Sequence, residues 1–167
     1  MLLSQLLSSL VPDENLILLA DDNEVDVLMT RRAFHKACLL NPFRVVSDGQ
    51  QAMEYLSGQG KYANRIAYPL PQLILLDLKM PYKTGLEILE WIQGQPTLRD
   101  LRVVVLTESD KARDIDRAYQ LGAVSFLVKP VTFENLVRVN DALKGYWLWR
   151  SEKPPRSLHD ARHAFCS

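Results

Sequence analysis

Short, uninterrupted apolar runs recur along the chain, and most of them end on a polar residue. Leu16 to Ala20 leads into Asp21-Asp22, Leu73 to Leu76 into Asp77, Val103 to Leu106 into Thr107, and Val124 to Val128 into Lys129-Pro130. Runs this short with little polar alternation predict strands buried on both faces. Phe43 to Ser47 predicts a further strand. Between these runs the apolar spacing becomes helical. Val25, Leu28, Met29, Ala33, Phe34 and Ala37 form one stripe, which predicts a helix over 25–39. Other helices are predicted over 50–56, 86–93 and 111–121, the last stopped by Gly122, and from a Thr132 cap to about Trp149. Ser57 to Pro71 holds Gly58, Gly60, Pro69 and Pro71 and is predicted to be mostly loop, while Met80-Pro81 and Gly85 mark a turn.

Five strands alternating with five helices predict an α/β fold, a doubly wound five-stranded parallel sheet covered on both faces. Ligands of such sheets bind outside the carboxyl ends of the strands, where the strand order reverses. The pattern therefore delivers Asp21, Asp22, Asp77, Thr107 and Lys129 to one edge, with hydrocarbon behind them.

The chain's 167 residues, 47% of them hydrophobic, suffice for one sizeable core. The organisation expected is an extension over 1–14, a domain over 15–150 and a polar tail over 151–167. Leu3, Leu6, Leu7 and Leu10 can stripe a short helix in the extension. The tail, with Pro154-Pro155, is too small for a DNA-binding or catalytic output domain. Twenty basic residues balance twenty acidic ones, so no positive field points to nucleic acid or an anionic membrane, and protein partners are expected instead. Cys38 and Cys166 have neither disulfide-framework nor metal-site spacing, which suits a reducing, cytoplasmic setting. No apolar run approaches the ~20 residues of a membrane span.

Three carboxylates converging from neighbouring strands repel one another, and a hard dication with oxygen ligands, Mg2+ above all, relieves the repulsion. Such a site also holds phosphate oxygens, and a carboxylate can attack phosphorus to form an acyl phosphate. Asp77, central in the sheet, is the candidate nucleophile; Lys129 and Thr107 would supply a cation and a hydroxyl to the phosphoryl oxygens. Transfer of this kind is mostly positioning and electrostatics, and suits a site without a histidine base.

These residues, in this order, resemble the receiver domain of bacterial response regulators, the chemotaxis regulator and its relatives, over roughly Asn15 to Leu148. The family's acidic pair falls on Asp21 and Asp22, its phosphoacceptor on Asp77 in Leu-Ile-Leu-Leu-Asp-Leu-Lys-Met-Pro, its switch hydroxyl on Thr107 and its lysine on Lys129-Pro130. Gly85 and the aromatic Phe126 stand where receivers have a glycine and a switch aromatic. The resemblance implies a flavodoxin-like sheet of order 2-1-3-4-5 and a Mg2+ held by Asp22, Asp77 and the backbone carbonyl of Lys79, with Asp21 acting through water. It implies a single-domain response regulator in a two-component phosphorelay. Such a protein takes its phosphoryl group from a sensor histidine kinase, catalyses only its own phosphorylation and dephosphorylation, and signals through altered protein binding.

The long loop before the third strand, the stretch Asp114 to Ala123 and Tyr146-Trp147-Leu148 further resemble the small stand-alone regulators paired with phytochromes. That implies a light-sensing kinase as partner and a homodimer through the face of the fourth helix, fifth strand and fifth helix. Two positions depart from the family. Glu108 replaces the usual small residue after Thr107, and Lys79, two residues past the acceptor, is placed to pair with it and to slow hydrolysis by crowding the attacking water.

Plainer readings stand beside these. An aspartate pair can merely cap a helix, Thr107 can be a strand-end hydroxyl, and Phe126 can be core filling. His35, His159 and His163 read as solvated or partly packed, and Met29, Met53 and Met80 as packing. On the last helix Leu136, Val139, Leu143 and Tyr146 are expected to cover the sheet, leaving Val137, Leu148 and Trp149 to other sides; Tyr146, Trp147 and Trp149 read as a partner surface. A haloacid-dehalogenase-type phosphatase would want a second acid where Lys79 stands. A flavodoxin-like electron carrier would want a phosphate loop where Asp21-Asp22-Asn23-Glu24 would repel phosphate. The remaining alternative is a receiver-fold adaptor that works without phosphorylation, against which the intact acceptor and metal residues argue.

Overall fold

The computed structural model describes residues 16–37, 39, 41–108 and 112–142. In chain order the elements are β1 (Ile17–Ala20), α1 (Glu24–Lys36), β2 (Phe43–Val46), α2 (Gly49–Ser57), a 3-10 turn (Gly60–Tyr62), β3 (Leu73–Asp77), α3 (Gly85–Gln93), a second 3-10 turn (Pro96–Leu98), β4 (Arg102–Thr107), α4 (Ala112–Gln120), β5 (Ser125–Val128) and α5 (Phe133–Ala142). The five strands make one parallel sheet in the order β2-β1-β3-β4-β5, the doubly wound, flavodoxin-like arrangement expected from the sequence.

Strand composition follows position in the sheet. β1 and β3 lie inside it and are buried at every residue, whereas the edge strands β2 and β5 are partly exposed. Alternate residues serve opposite faces. Leu18, Ile74, Leu76, Val103 and Val105 pack against α2, α3 and α4, among them Tyr55, Ile88, Leu89 and Ala118. Ile17, Leu19, Leu75, Val104 and Leu106 pack against α1 and α5 through Phe34, Leu136 and Val137. Val137 corrects the expectation that it faces away from the core. It is 5% exposed, because α5 lies beside α1 as well as over the sheet and so buries a broader stripe.

Every crossover helix starts at the carboxyl edge of the sheet, and its first free N–H groups are capped there. Asn23 accepts from the N–H groups of Val25 and Asp26 at α1, Asp48 from Gln51 N at 2.8 Å at α2, and Thr132 Oγ1 from Asn135 N at 3.2 Å at α5. Thr84 and Glu87 form a reciprocal capping box at α3. At the far end of α4, Gly122 takes φ +97° and ends the helix as predicted.

The connection before β3 is fastened rather than loose. Arg65 Nη1 donates to the carbonyls of Tyr55 (2.7 Å) and Tyr68 (3.2 Å), and Nη2 to that of Leu56 (2.8 Å), so one guanidinium satisfies carbonyls at the end of α2. Tyr55 Oη donates to Pro69 O at 2.9 Å, and the Tyr55, Tyr62 and Tyr68 rings pack on one another. The extension over 1–14, Cys38, the last helix beyond 142 with Leu143, Tyr146, Trp147, Leu148 and Trp149, and the tail with His159, His163 and Cys166 lie outside the described residues.

Candidate functional site

Strand register places the polar residues level with one another. Ala20 pairs with Leu76, Asp77 with Leu106 and Thr107 with Val128, so Asp21, Asp77, Thr107 and Lys129 sit at or just past neighbouring strand ends. Backbone bonds carry the ladders beyond those ends: Asp21 N donates to Val46 O (3.1 Å), Leu78 N to Leu106 O (3.1 Å) and Lys129 N to Thr107 O (2.8 Å). The side chains are thus mounted on the rigid sheet.

Carboxylate oxygens of Asp21, Asp22 and Asp77 lie within 4.8 Å of one another, with Asp21 and Asp77 buried and Asp22 exposed. Short turns aim the two buried groups. Asp21 Oδ1 accepts Asn23 N at 2.9 Å and Asp77 Oδ1 accepts Lys79 N at 3.1 Å, which turns each Oδ2 toward Lys129. The Lys129 side chain is only 7% exposed, and its Nζ lies 2.9 Å from the Oδ2 atoms of Asp21, Asp26 and Asp77 alike.

Asp26 was not anticipated as a site residue. It lies four residues after Asp22 in the first turn of α1, and that one-turn spacing at a helix opening onto the pocket is the signal that points to it.

Four carboxylates and one ammonium make a site with excess negative charge. Burial pushes the Asp77 carboxyl up to about 6, against hydrogen bonds from Lys129 and Lys79 N and the Lys129 charge, while the Asp21 charge pushes it further up. Burial alone would lower the Lys129 ammonium, yet its hydrogen bonds to Asp77, Asp21 and Asp26 outweigh burial and hold it well above the usual lysine range. Asp21 Oδ2 is buried without a geometrically sound hydrogen bond, so its 2.9 Å contact with the ammonium is one of charge. An unsatisfied buried oxygen beside two further carboxylates is a hard, all-oxygen donor set that fits a magnesium-like dication.

The surroundings complete the pocket. Thr107 is buried at the end of β4. At the mouth, Lys79 Nζ stands 3.7 Å from Glu108 Oε2, with both side chains largely exposed, so Glu108 pairs with lysine and the pair adds little stability. Phe126 is half-buried on β5 and meets Tyr119 of α4 edge-to-face at 6.4 Å between ring centres. Gly85 is required by close approach: a Cβ there would collide with the Asp77 carbonyl oxygen and come within 2.8 Å of Leu78 Cα. Of the residues singled out from sequence, Asp21, Asp22, Asp77 and Lys129 are brought together and Thr107 stands at the next strand end. Lys79 contributes its N–H to Asp77 and its side chain to the mouth, while Phe126 contacts α4.

The sequence model of the response regulator receiver domain matches residues 17–140. The probable methanogenesis regulatory protein FilR2 of Methanothrix harundinacea is 36% identical over 145 residues, covering 85% of this chain and 89% of that protein. Response regulator Rcp1 of Synechocystis sp. is 33% identical over 132 residues, covering 79% and 88%. The structure of the Mn(2+)-bound form of Rcp1 superposes with a TM-score of 0.67 at 32% identity, over 84% of this chain and 99% of that one. The bacteriophytochrome response regulator RtBRR superposes with a TM-score of 0.73 at 37% identity, over 89% of each chain.

Proposed function

This chain belongs to the response regulator receiver domain family, and from that membership we propose that it is a phosphorylation switch whose acceptor is Asp77, loaded by a sensor histidine kinase. The observation that carries the reading is the convergence of Asp21, Asp22 and Asp77 around one another and of Lys129 Nζ upon Asp77.

In the transfer an Asp77 carboxylate oxygen attacks phosphorus. The new O–P bond forms as the P–N bond to the kinase histidine breaks, and the imidazole nitrogen keeps the electron pair. Asp77 must be ionised to attack, which its carboxyl of about 6 allows at neutral pH. Asp21, Asp22, Asp77 and the Lys79 carbonyl are the groups proposed to hold Mg2+, which when bound neutralises charge on the phosphoryl oxygens. Lys129 offers its ammonium and Thr107 its hydroxyl to the same oxygens.

Engagement of Thr107 at the end of β4 would reach Phe126 on the neighbouring strand, and through its ring contact Tyr119 on α4. The switch is therefore read out on the face of α4, β5 and α5, which we assign to a homodimer. An open groove there, lined by Phe126, Val128, Asn135 and Arg138, runs beside the edge strand and supports this assignment. The kinship with RtBRR favours a phytochrome as the kinase.

The test is incubation with acetyl phosphate and Mg2+, followed by intact mass and sizing of the wild type and Asp77→Asn. A Mg2+-dependent phosphate adduct on the wild type alone is expected. An adduct on both proteins, or on neither, would remove Asp77 from its role and leave the adaptor reading.

A further inference from the structure

An ammonium carries three N–H donors, and three carboxylate oxygens surround Lys129 Nζ at 2.9 Å: Asp21 after β1, Asp26 in the first turn of α1 and Asp77 at the end of β3. Asp26 and Asp77 accept well-formed hydrogen bonds from it, whereas Asp21 Oδ2 contributes charge without one. Once Asp77 carries a phosphoryl group, its carboxyl is no longer an anion and the charge has moved outward to the phosphoryl oxygens. The donor that Asp77 held is released to meet them, and Asp26 remains as the well-formed hydrogen bond. Lys129 has a four-carbon stem with large rotamer freedom, so without an anchor the ammonium would have to be ordered anew in the transition state.

Asp26 is itself held on both sides. Its N–H donates to Asn23 Oδ1 at 3.1 Å and its carbonyl accepts the buried Thr30 hydroxyl at 2.9 Å, so the carboxylate projects from a capped, fixed first turn. It also lies outside the Asp21, Asp22 and Asp77 group suited to the metal.

We propose that Asp26 is a positioning residue for phosphoryl transfer. By its hydrogen bond to Nζ it keeps the Lys129 ammonium where the phosphoryl oxygens arrive, and so couples α1 to the lysine that follows β5. The inference rests on Asp77 being the acceptor. A mere spectator charge at Asp26 would act in the opposite direction, because removing a negative group near an incoming phosphoryl dianion would speed transfer.

The full chain is compared as wild type, Asp26→Ala, Asp26→Asn, which keeps an oxygen acceptor without the charge, and Asp26→Glu, which keeps the charge but displaces it by one methylene. Phosphorylation by acetyl phosphate in saturating Mg2+ gives the rate, and the 15N-resolved ammonium signal of Lys129 reports whether the group is anchored. Asp26→Ala should slow phosphorylation about tenfold, the order expected for one lost hydrogen bond to a charged group, and broaden the ammonium signal by faster exchange. Asp26→Glu should also be slower, and Asp26→Asn should stay within about threefold of wild type. In a Lys129→Met background Asp26→Ala should change nothing further, which a general folding role would not produce.

Equal slowing in both backgrounds, faster transfer in Asp26→Ala or Asp26→Glu, or an unmoved ammonium signal would overturn the proposal. If the wild type takes up no phosphate while Asp26→Ala still broadens the ammonium signal, the acceptor role of Asp77 fails and the anchoring stands.

Discussion

Replacing Lys129 with methionine keeps the stem that fills the pocket and deletes the charge that holds it together. In the wild type the ammonium, 7% exposed, faces three carboxylates at 2.9 Å. Breaking a buried ion pair from one side costs about 3–5 kcal/mol, because the charges left behind have neither partner nor water. With an unfolding entropy of about 2.1 cal/mol/K per residue, a domain of this size loses roughly 0.3 kcal/mol per kelvin near its midpoint. The variant should therefore melt roughly 10–15 °C below wild type in EDTA at pH 8.

Two controls identify the cause. Saturating Mg2+ should narrow the gap, since a dication among Asp21, Asp22 and Asp77 replaces the missing positive charge and stabilises by mass action, by about 2.7 kcal/mol at a hundredfold excess over Kd. Lowering the pH to about 5.5 should narrow it too, because a carboxyl deprived of its counter-ion takes up a proton instead of remaining charged. Thermal melts of both proteins in EDTA and in Mg2+ make the comparison. A variant within about 1 kcal/mol of wild type in EDTA, or a gap that Mg2+ leaves untouched, would refute the view that electrostatic excess governs this pocket.

Lys79→Asn should shorten the lifetime of the phosphoprotein several-fold, by opening the mouth where Lys79 and Glu108 pair, as followed by loss of the phosphate adduct from intact mass. Gly85→Ala should destabilise by about 1–3 kcal/mol, the cost of forcing a methyl into a packed site, and should slow phosphorylation because the clash falls on the Asp77 backbone; urea unfolding and the acetyl phosphate rate report the two effects. In metal-free wild type the Asp77 carboxyl, raised from its ordinary 3.8 to about 6, binds a proton more tightly folded than unfolded. Stability from this group is therefore fully present below about pH 4 and falls as pH climbs to about 6, by up to about 3 kcal/mol, with no further change above. Urea titrations in EDTA between pH 4 and 8, wild type against Asp77→Asn, isolate that contribution.

How much of this was legible from sequence depends on whether a residue's role is set locally or by its neighbours in space. Ile17 to Ala20 and Leu73 to Leu76 are apolar at every position because helices cover both faces of the sheet, so strand, burial and the polar residue that follows could be read together. Lys79 and Glu108 were legible as a pair because each follows a strand end by one or two residues. Asp26 was not, since a charge in the first helical turn ordinarily faces water. Its role arises from the reach of a lysine 103 residues away. Val137 was misplaced for a related reason, because helical spacing gives the stripe facing the sheet but not the flank that meets α1. The Arg65 clasp also escaped notice, as glycines and prolines announce a loop without saying which carbonyls a nearby guanidinium will reach.

That clasp sits where α2 ends, across the molecule from the carboxylates, and Ile66 projects from the segment it secures with 91% of its surface bare. Lengthening a connection costs free energy only logarithmically, so extra sequence grafted beside Ile66 would leave the reacting end undisturbed. The protein thus has a handle: a fluorophore, an affinity peptide or a second domain can be hung there while the sheet's opposite rim continues its chemistry.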